Sequence, residues 1–203
     1  MKRHLSSIDA DAATPGGAPA PRRSLKARTL ETVDRVLDAA HEEVRAVGYE
    51  ALTIRAVAAR AEVSPATAYT YFGSKAHLMA ELFARRFAEV PGTEVTGDAA
   101  TRLAGAMGEL AEFLASEPEL ADAATASLLD GDPDVARLRL TIGGAYFERF
   151  RRAIGEDGVP ESLELARLAF NGAMLEAGMG LTTYQEMGER LQRLAPHIVR
   201  GQG

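Results

Sequence analysis

Residues 53 to 75 read Thr-Ile-Arg-Ala-Val-Ala-Ala-Arg-Ala-Glu-Val-Ser-Pro-Ala-Thr-Ala-Tyr-Thr-Tyr-Phe-Gly-Ser-Lys, and this stretch decides the fold. Ile54, Val57, Ala58 and Ala61 recur at spacings of three and four, which gives a short helix one apolar face. Thr53 stands just before it, where a hydroxyl can accept from an otherwise orphaned backbone N–H. Val63 fills the corner after it. Ser64 and Pro65 then start a second helix, the hydroxyl capping it and the proline taking the first helical position, where no N–H is needed. Along that helix Ala66, Thr67, Ala68, Tyr69, Thr70 and Tyr71 combine small residues, which permit close approach, with hydroxyls able to meet phosphates or base edges. Phe72 and Leu78 anchor the segment beyond it. Ser74 caps the next helix, and Lys75 in its first turn sets a cation beside backbone N–H groups that favour an anion such as a phosphate. A buried helix, a tight turn and a polar second helix make a helix-turn-helix, a motif that sets its second helix in the major groove of DNA.

Gly48-Tyr49, Leu52-Thr53, Ile54 to Ala61, Val63-Ser64-Pro65-Ala66-Thr67 and Tyr69-Thr70-Tyr71-Phe72-Gly73-Ser74-Lys75 together resemble the N-terminal domain of the TetR family of bacterial transcriptional regulators. The resemblance covers residues 28 to 75. One position departs from it: the turn residue that the family fills with glycine is Glu62 here. A side chain forced to positive φ costs roughly 1 kcal/mol, so a strained or reshaped turn is expected.

The chain has 203 residues, 46% of them hydrophobic, enough for a sizeable core in one ordinary domain or two small ones. With no cysteine there is no disulfide, thiolate metal site or cysteine nucleophile. No apolar run approaches the roughly 18 residues of a membrane span, and the N-terminus lacks an apolar signal core, so a soluble, cytoplasmic protein is expected. A net charge of −6 taken alone argues against DNA, but its distribution reverses the inference. Residues 1 to 90 carry 13 Lys and Arg against 11 Asp and Glu, a net +2, whereas residues 91 to 203 carry 10 against 18, a net −8. The acid lies away from the reading end.

Residues 1 to 24 are rich in Ala, Pro and Gly and poor in large apolar side chains, the composition of a disordered arm. Its Lys2, Arg3, Arg22 and Arg23, continued by Lys26 and Arg28, either reach DNA beside the site or serve only solubility. A first helix is expected from Leu25 or Thr29 to Val47 on the stripe Leu30, Val33, Leu37, Ala40, Val44 and Val47, ended by Gly48. A fourth starts at Ser74 and stops before Pro91-Gly92. Further helices are expected over 98–115, 118–129, 133–154, 160–183 and 184–199, with Pro118, Pro133 and Pro160 at helix starts. The class is all-α with about nine helices, organised as an arm (1–24), a DNA-binding domain (25–75) and a helical ligand-binding and dimerisation domain (76–203).

Met107, Leu110, Phe113, Leu114, Tyr146, Phe147, Phe150, Phe170 and Met174 fall on the central helices and suit an adaptable apolar pocket, although plain core packing gives the same pattern. Tyr146, Asn171 and Glu176 are polar groups able to orient a ligand or to serve structure. Ala166, Ala169, Gly172, Ala173, Ala177, Gly178 and Gly180 make the last two helices a candidate dimerisation element, with Leu191, Leu194 and Ile198 as the apolar face of the final one. Enzymatic chemistry has little support: His4, His41, His77 and His197 lack metal-ligand spacing, Gly143-Gly144 is no phosphate loop, and Asp130, Asp132 and Asp134 read as a solvated turn that starts a helix.

The resemblance implies a homodimeric regulator without cofactor that binds a double-stranded palindromic operator and is released by a small, largely apolar effector. It implies major-groove contacts from Thr67, Tyr69, Thr70 and Tyr71, with Ser64, Pro65 and Ala66 nearby, and phosphate contacts from Thr53, Arg55 and Lys75. On sequence alone an activator, a ligand-independent regulator, or a helical binding protein or enzyme with a vestigial DNA motif stays open.

Overall fold

The computed structural model describes residues 22–92, 96–157 and 160–199. These form nine α-helices and no strand: α1 Arg22–Ala51, α2 Ile54–Arg60, α3 Pro65–Tyr71, α4 Lys75–Ala88, α5 Ala99–Ser116, α6 Pro118–Leu128, α7 Pro133–Ile154, α8 Pro160–Gly178 and α9 Tyr184–Val199. Of the expected arm, residues 1 to 21 lie outside the described residues, whereas 22 to 24 already belong to α1.

The helix starts are local chemistry. Ser74 Oγ accepts from His77 N at 3.0 Å to cap α4, and Asp98 Oδ1 accepts from Thr101 N at 2.8 Å to cap α5. Pro118 and Pro133 occupy first-turn positions of α6 and α7. Besides the earlier start of α1, two helix ends differ from expectation. Helix α1 runs beyond Gly48, which itself breaks the regular helix at φ 73, ψ 170 before one more turn to Ala51. Helix α8 stops at Gly178, well before residue 183, because the chain turns over with Gly180 at φ 74 while Leu181 N donates to the Glu176 carbonyl at 3.0 Å.

In α1 the buried stretch runs from Val36 to Val44, while Leu30 and Val47, expected on the same stripe, stay about half exposed. Helix α1 packs on α2, α4 and α6; α5 lies at the centre of the body against α9, α7 and α6. The α5–α9 approach is very close. A Cβ on Gly188 of α9 would stand 2.6 Å from the Ala111 Cβ of α5, so only glycine fits there. Head and body meet at Glu117, between α5 and α6. Its carboxylate accepts from Arg86 Nε of α4 at 3.1 Å, from Arg86 Nη2 at 2.5 Å, and pairs with His41 Nε2 of α1.

Candidate nucleic-acid interface and apolar cavity

Thr53 Oγ1 accepts from Ala56 N at 3.1 Å, capping α2, whose Ile54, Val57 and Ala58 are buried. Arg60 on its outer side pairs with Glu42 at 3.2 Å and Glu43 at 2.8 Å, fixing α2 to α1. The corner is the one tight bend in the motif. Glu62 adopts φ 55, the single non-glycine residue with positive φ among the described residues, and Val63 N donates to the Ala58 carbonyl at 3.0 Å. The turn therefore keeps the shape a glycine would give, with the strain carried by Glu62.

Ser64 Oγ caps α3 by accepting from Thr67 N at 3.0 Å and shares a 2.8 Å hydrogen bond with the Thr67 hydroxyl. Ala68 is fully buried beneath the helix. Ser64, Pro65, Ala66, Tyr69 and Thr70 are exposed on α3 and its cap; Thr67 and Tyr71 are half-buried, and the Tyr71 ring packs against the core. The Thr70 hydroxyl donates to the Ala66 carbonyl at 2.9 Å. Thr53 and Arg55 are exposed at the head of α2. Lys75 is held inward: its Nζ donates to the Tyr49 and Glu50 carbonyls at 2.9 and 3.3 Å and lies 4.2 Å above the Tyr49 ring.

Helix α4 continues from this motif into the body, and both of its ends are fastened to α7. At the N-terminal end Ser74 Oγ donates to Asp132 Oδ2 at 2.6 Å, and His77 Nδ1 lies 3.8 Å from Asp134 Oδ2. At the other end Arg149 of α7 donates through Nη2 to the Val90 carbonyl at 2.7 Å and stacks 5.0 Å over the Phe87 ring. Helices α4 and α7 thus run side by side in the same direction.

Between the two fastenings opens an apolar cavity of about 320 Å³. Of the sequence-derived candidates, Leu110, Phe113, Leu114, Tyr146, Phe170, Asn171 and Met174 line it. Met107 and Phe150 are fully buried and do not reach it, Phe150 packing behind Tyr146 and Phe170 at ring distances of 5.6 and 5.4 Å. Phe147 is half-buried outside the lining, and Glu176 pairs instead with Arg190 at 3.6 Å. The sequence reading missed Phe83 and Phe87 of α4 and Ile142 of α7. Their signal was available in the spacing of Phe83 and Phe87, and in Ile142 lying four residues before Tyr146 on one helical face. Tyr146 Oη donates to Asn171 Oδ1 at 2.6 Å; burial raises its pKa above the ordinary phenol value, so the hydroxyl is a neutral donor.

The small residues of α8 do not share one face. Ala166 and Ala177 are buried in the chain's own core, and a Cβ on Gly178 would meet Thr125 of α6 at 2.7 Å. The outward face carries Leu165, Leu168, Gly172 and Leu175 instead, all exposed, with Met179 exposed just past its end; Leu175 also borders the cavity.

A capped, exposed second helix carried on a buried support helix, with a cavity-bearing helical body behind it, defines the class of helix-turn-helix transcriptional regulators. The sequence pattern of bacterial regulatory proteins of the tetR family matches residues 36–82. An HTH-type transcriptional regulator of Mycobacterium tuberculosis is 42% identical over 177 residues, 86% of this chain and 83% of the relative. The HTH-type transcriptional repressor KstR of Mycolicibacterium smegmatis is 33% identical over 131 residues, 62% of this chain and 64% of KstR. The crystal structure of a TetR transcriptional regulator from Rhodococcus sp. RHA1 has a TM-score of 0.69 at 20% identity, over 88% of this chain and 100% of that one. FadR of Bacillus subtilis in complex with stearoyl-CoA has a TM-score of 0.58 at 20% identity, over 83% of this chain and 98% of that one; such identities speak to the fold alone. The chain belongs to the TetR family and is a DNA-binding transcriptional regulator. No helix among the described residues is long and apolar enough to cross a membrane.

Proposed function

We propose that this regulator is a homodimeric repressor, released from a palindromic operator when a small, largely apolar effector enters the cavity between α4 and α7. The observation that carries the reading is the position of that cavity: the helix leaving the DNA-binding motif supplies part of its wall through Phe83 and Phe87. A molecule wedged there acts directly on α4, and so on where α3 stands. It can shift the equilibrium only by its differential affinity for the two positions of α4.

On the DNA side, Tyr69 and Thr70 on the exposed face of α3 would read bases, with Ser64, Pro65 and Ala66 at its leading end and Thr67 and Tyr71 at its flank. Thr53 and Arg55 would meet phosphates, joined by the third Lys75 proton. KstR is named a repressor, which supports repression, and FadR was solved with stearoyl-CoA, whose long acyl chain supports an effector with a large apolar part. The outward leucines of α8 support a two-fold pairing that sets two α3 helices into successive major grooves, about 34 Å apart.

The test is fluorescence anisotropy with a labelled palindromic duplex from the promoter region beside the coding sequence, across salt concentrations, against a scrambled duplex. Selective binding that weakens steeply with salt is expected. Equal affinity for duplexes selected from a random pool and for the scrambled control would sink the reading.

A further inference from the structure

The polar groups of the cavity are few, and most are already committed. The Thr125 hydroxyl donates to the Ala121 carbonyl at 3.0 Å. Arg139, at the rim, spends Nε on the Leu128 carbonyl at 2.6 Å and Nη2 on the Asp130 carbonyl at 2.8 Å, along the turn between α6 and α7. No Asp or Glu lines the space. Arg139 keeps its positive charge although Nε and Nη2 are engaged, so at the exposed rim it is the one competing anchor for an anion among the described residues; the other polar group is the Tyr146–Asn171 pair, where α7 faces α8. Because Asn171 Oδ1 accepts from the Tyr146 hydroxyl, the amide is oriented, and its Nδ2 protons are left to donate. An amide fixed in this way recognises an oxygen acceptor and offers a carboxylate no charge to pair with. The rings of Phe83, Phe87 and Phe113 on one side, and of Tyr146 and Phe170 on the other, otherwise add apolar and ring surface.

We infer that the cavity selects an uncharged apolar molecule bearing one carbonyl or hydroxyl oxygen, which Asn171, held by Tyr146, reads through its amide donors. The inference rests on the cavity being the effector site proposed above. Asn171 is exposed at the rim, so water competes for its donors and the discrimination is moderate.

The experiment compares three probes of equal chain length, decane, 2-decanone and decanoate, by calorimetric titration of the purified full-length protein. The ketone is expected to bind about tenfold more tightly than decane, the range of one hydrogen bond, and more tightly than decanoate. Asn171→Leu and Tyr146→Phe should each remove most of that preference while decane still binds, which also shows that the cavity is intact. Equal binding of ketone and alkane by the wild type would overturn the inference and leave the effector-site reading standing. So would tightest binding by decanoate that is lost in Arg139→Gln, which would assign an anionic effector. Failure of all three probes to bind would remove the effector-site reading and this inference with it.

Discussion

Glu62 carries the chain through the corner between α2 and α3 at φ 55, a conformation that an L side chain adopts only at a cost. The corner tolerates it because the rest is satisfied: Ala61 is buried behind it, and Glu62 N donates to the Ala59 carbonyl at 3.2 Å. Relief of the left-handed conformation is worth about 1 kcal/mol or somewhat more and the greater freedom of an unfolded glycine offsets part of it, so Glu62→Gly is expected to stabilise the protein by about 0.5 kcal/mol. A higher urea midpoint at unchanged slope would bear this out; an unchanged or lower midpoint would mean that the strain at the corner does not exceed the freedom an unfolded glycine gains. Glu117 is the second residue on which much depends. Burial raises the pKa of its carboxyl, but hydrogen bonds from Arg86 and His41 outweigh that and hold it below its ordinary value. A carboxylate whose folded pKa is depressed adds stability above its unfolded pKa and loses it as pH falls through the folded one. Unfolding free energy should thus hold from neutral pH down to about pH 5 and fall below about pH 4. Glu117→Gln should lower it by about 1 to 2 kcal/mol at pH 7 and make the acid loss shallower. An equally steep acid loss in the variant would assign the effect to other carboxylates.

At the scale of elements, α4 lies parallel to α7 and is fastened to it at both ends, unequally. The Arg149 end combines a 2.7 Å hydrogen bond with a stacked Phe87 ring, whereas the Ser74 end rests on a single 2.6 Å bond to Asp132 and a looser His77–Asp134 approach. Separation of the two helices should begin at the Ser74 end, nearest the DNA-binding motif. Asp132→Ala removes that bond and the cap of α7 with it. It should widen the range of α4 positions and weaken operator binding by about fivefold, the worth of one such hydrogen bond. Anisotropy titration would show it, and an operator affinity equal to wild type would mean that the bond does not position α4. Sequence reasoning reached the helix starts because Ser64-Pro65, Ser74, Asp98 and Pro133 act on backbone groups within a few residues of themselves. It could not reach the fastenings, because Ser74 meets Asp132 across 58 positions and Arg149 meets Val90 across 59. The same limit explains the cavity. Apolar stripes identified central-helix residues, but only packing separates Phe113, which lines the space, from Met107, which is sealed in the core.

For the whole molecule, the outward face of α8 is the feature that a single chain leaves unexplained. Leu165, Leu168 and Leu175 lie on one side of the helix, continued by Met179 just past its end, with 49, 52, 41 and 58% of their surface exposed. Apolar residues scattered singly over a surface are ordinary, but a contiguous row of them marks a surface that meets a partner. In the proposed dimer a two-fold axis would pair such a row with itself and set two copies of α3 toward successive major grooves. Leu168→Glu sets a carboxylate at the middle of that row. Because the position is already half exposed in one chain, the fold should survive with its helical circular dichroism intact, while two like charges brought together in an apolar contact oppose pairing. Analytical ultracentrifugation should then find a monomer at micromolar concentration. Operator affinity should fall by about 100-fold or more, since each half-site contact must form without the effective concentration that the second supplies. A variant that stays dimeric would move the interface to another face, and a monomer that keeps full operator affinity would show that the second copy contributes nothing to DNA binding.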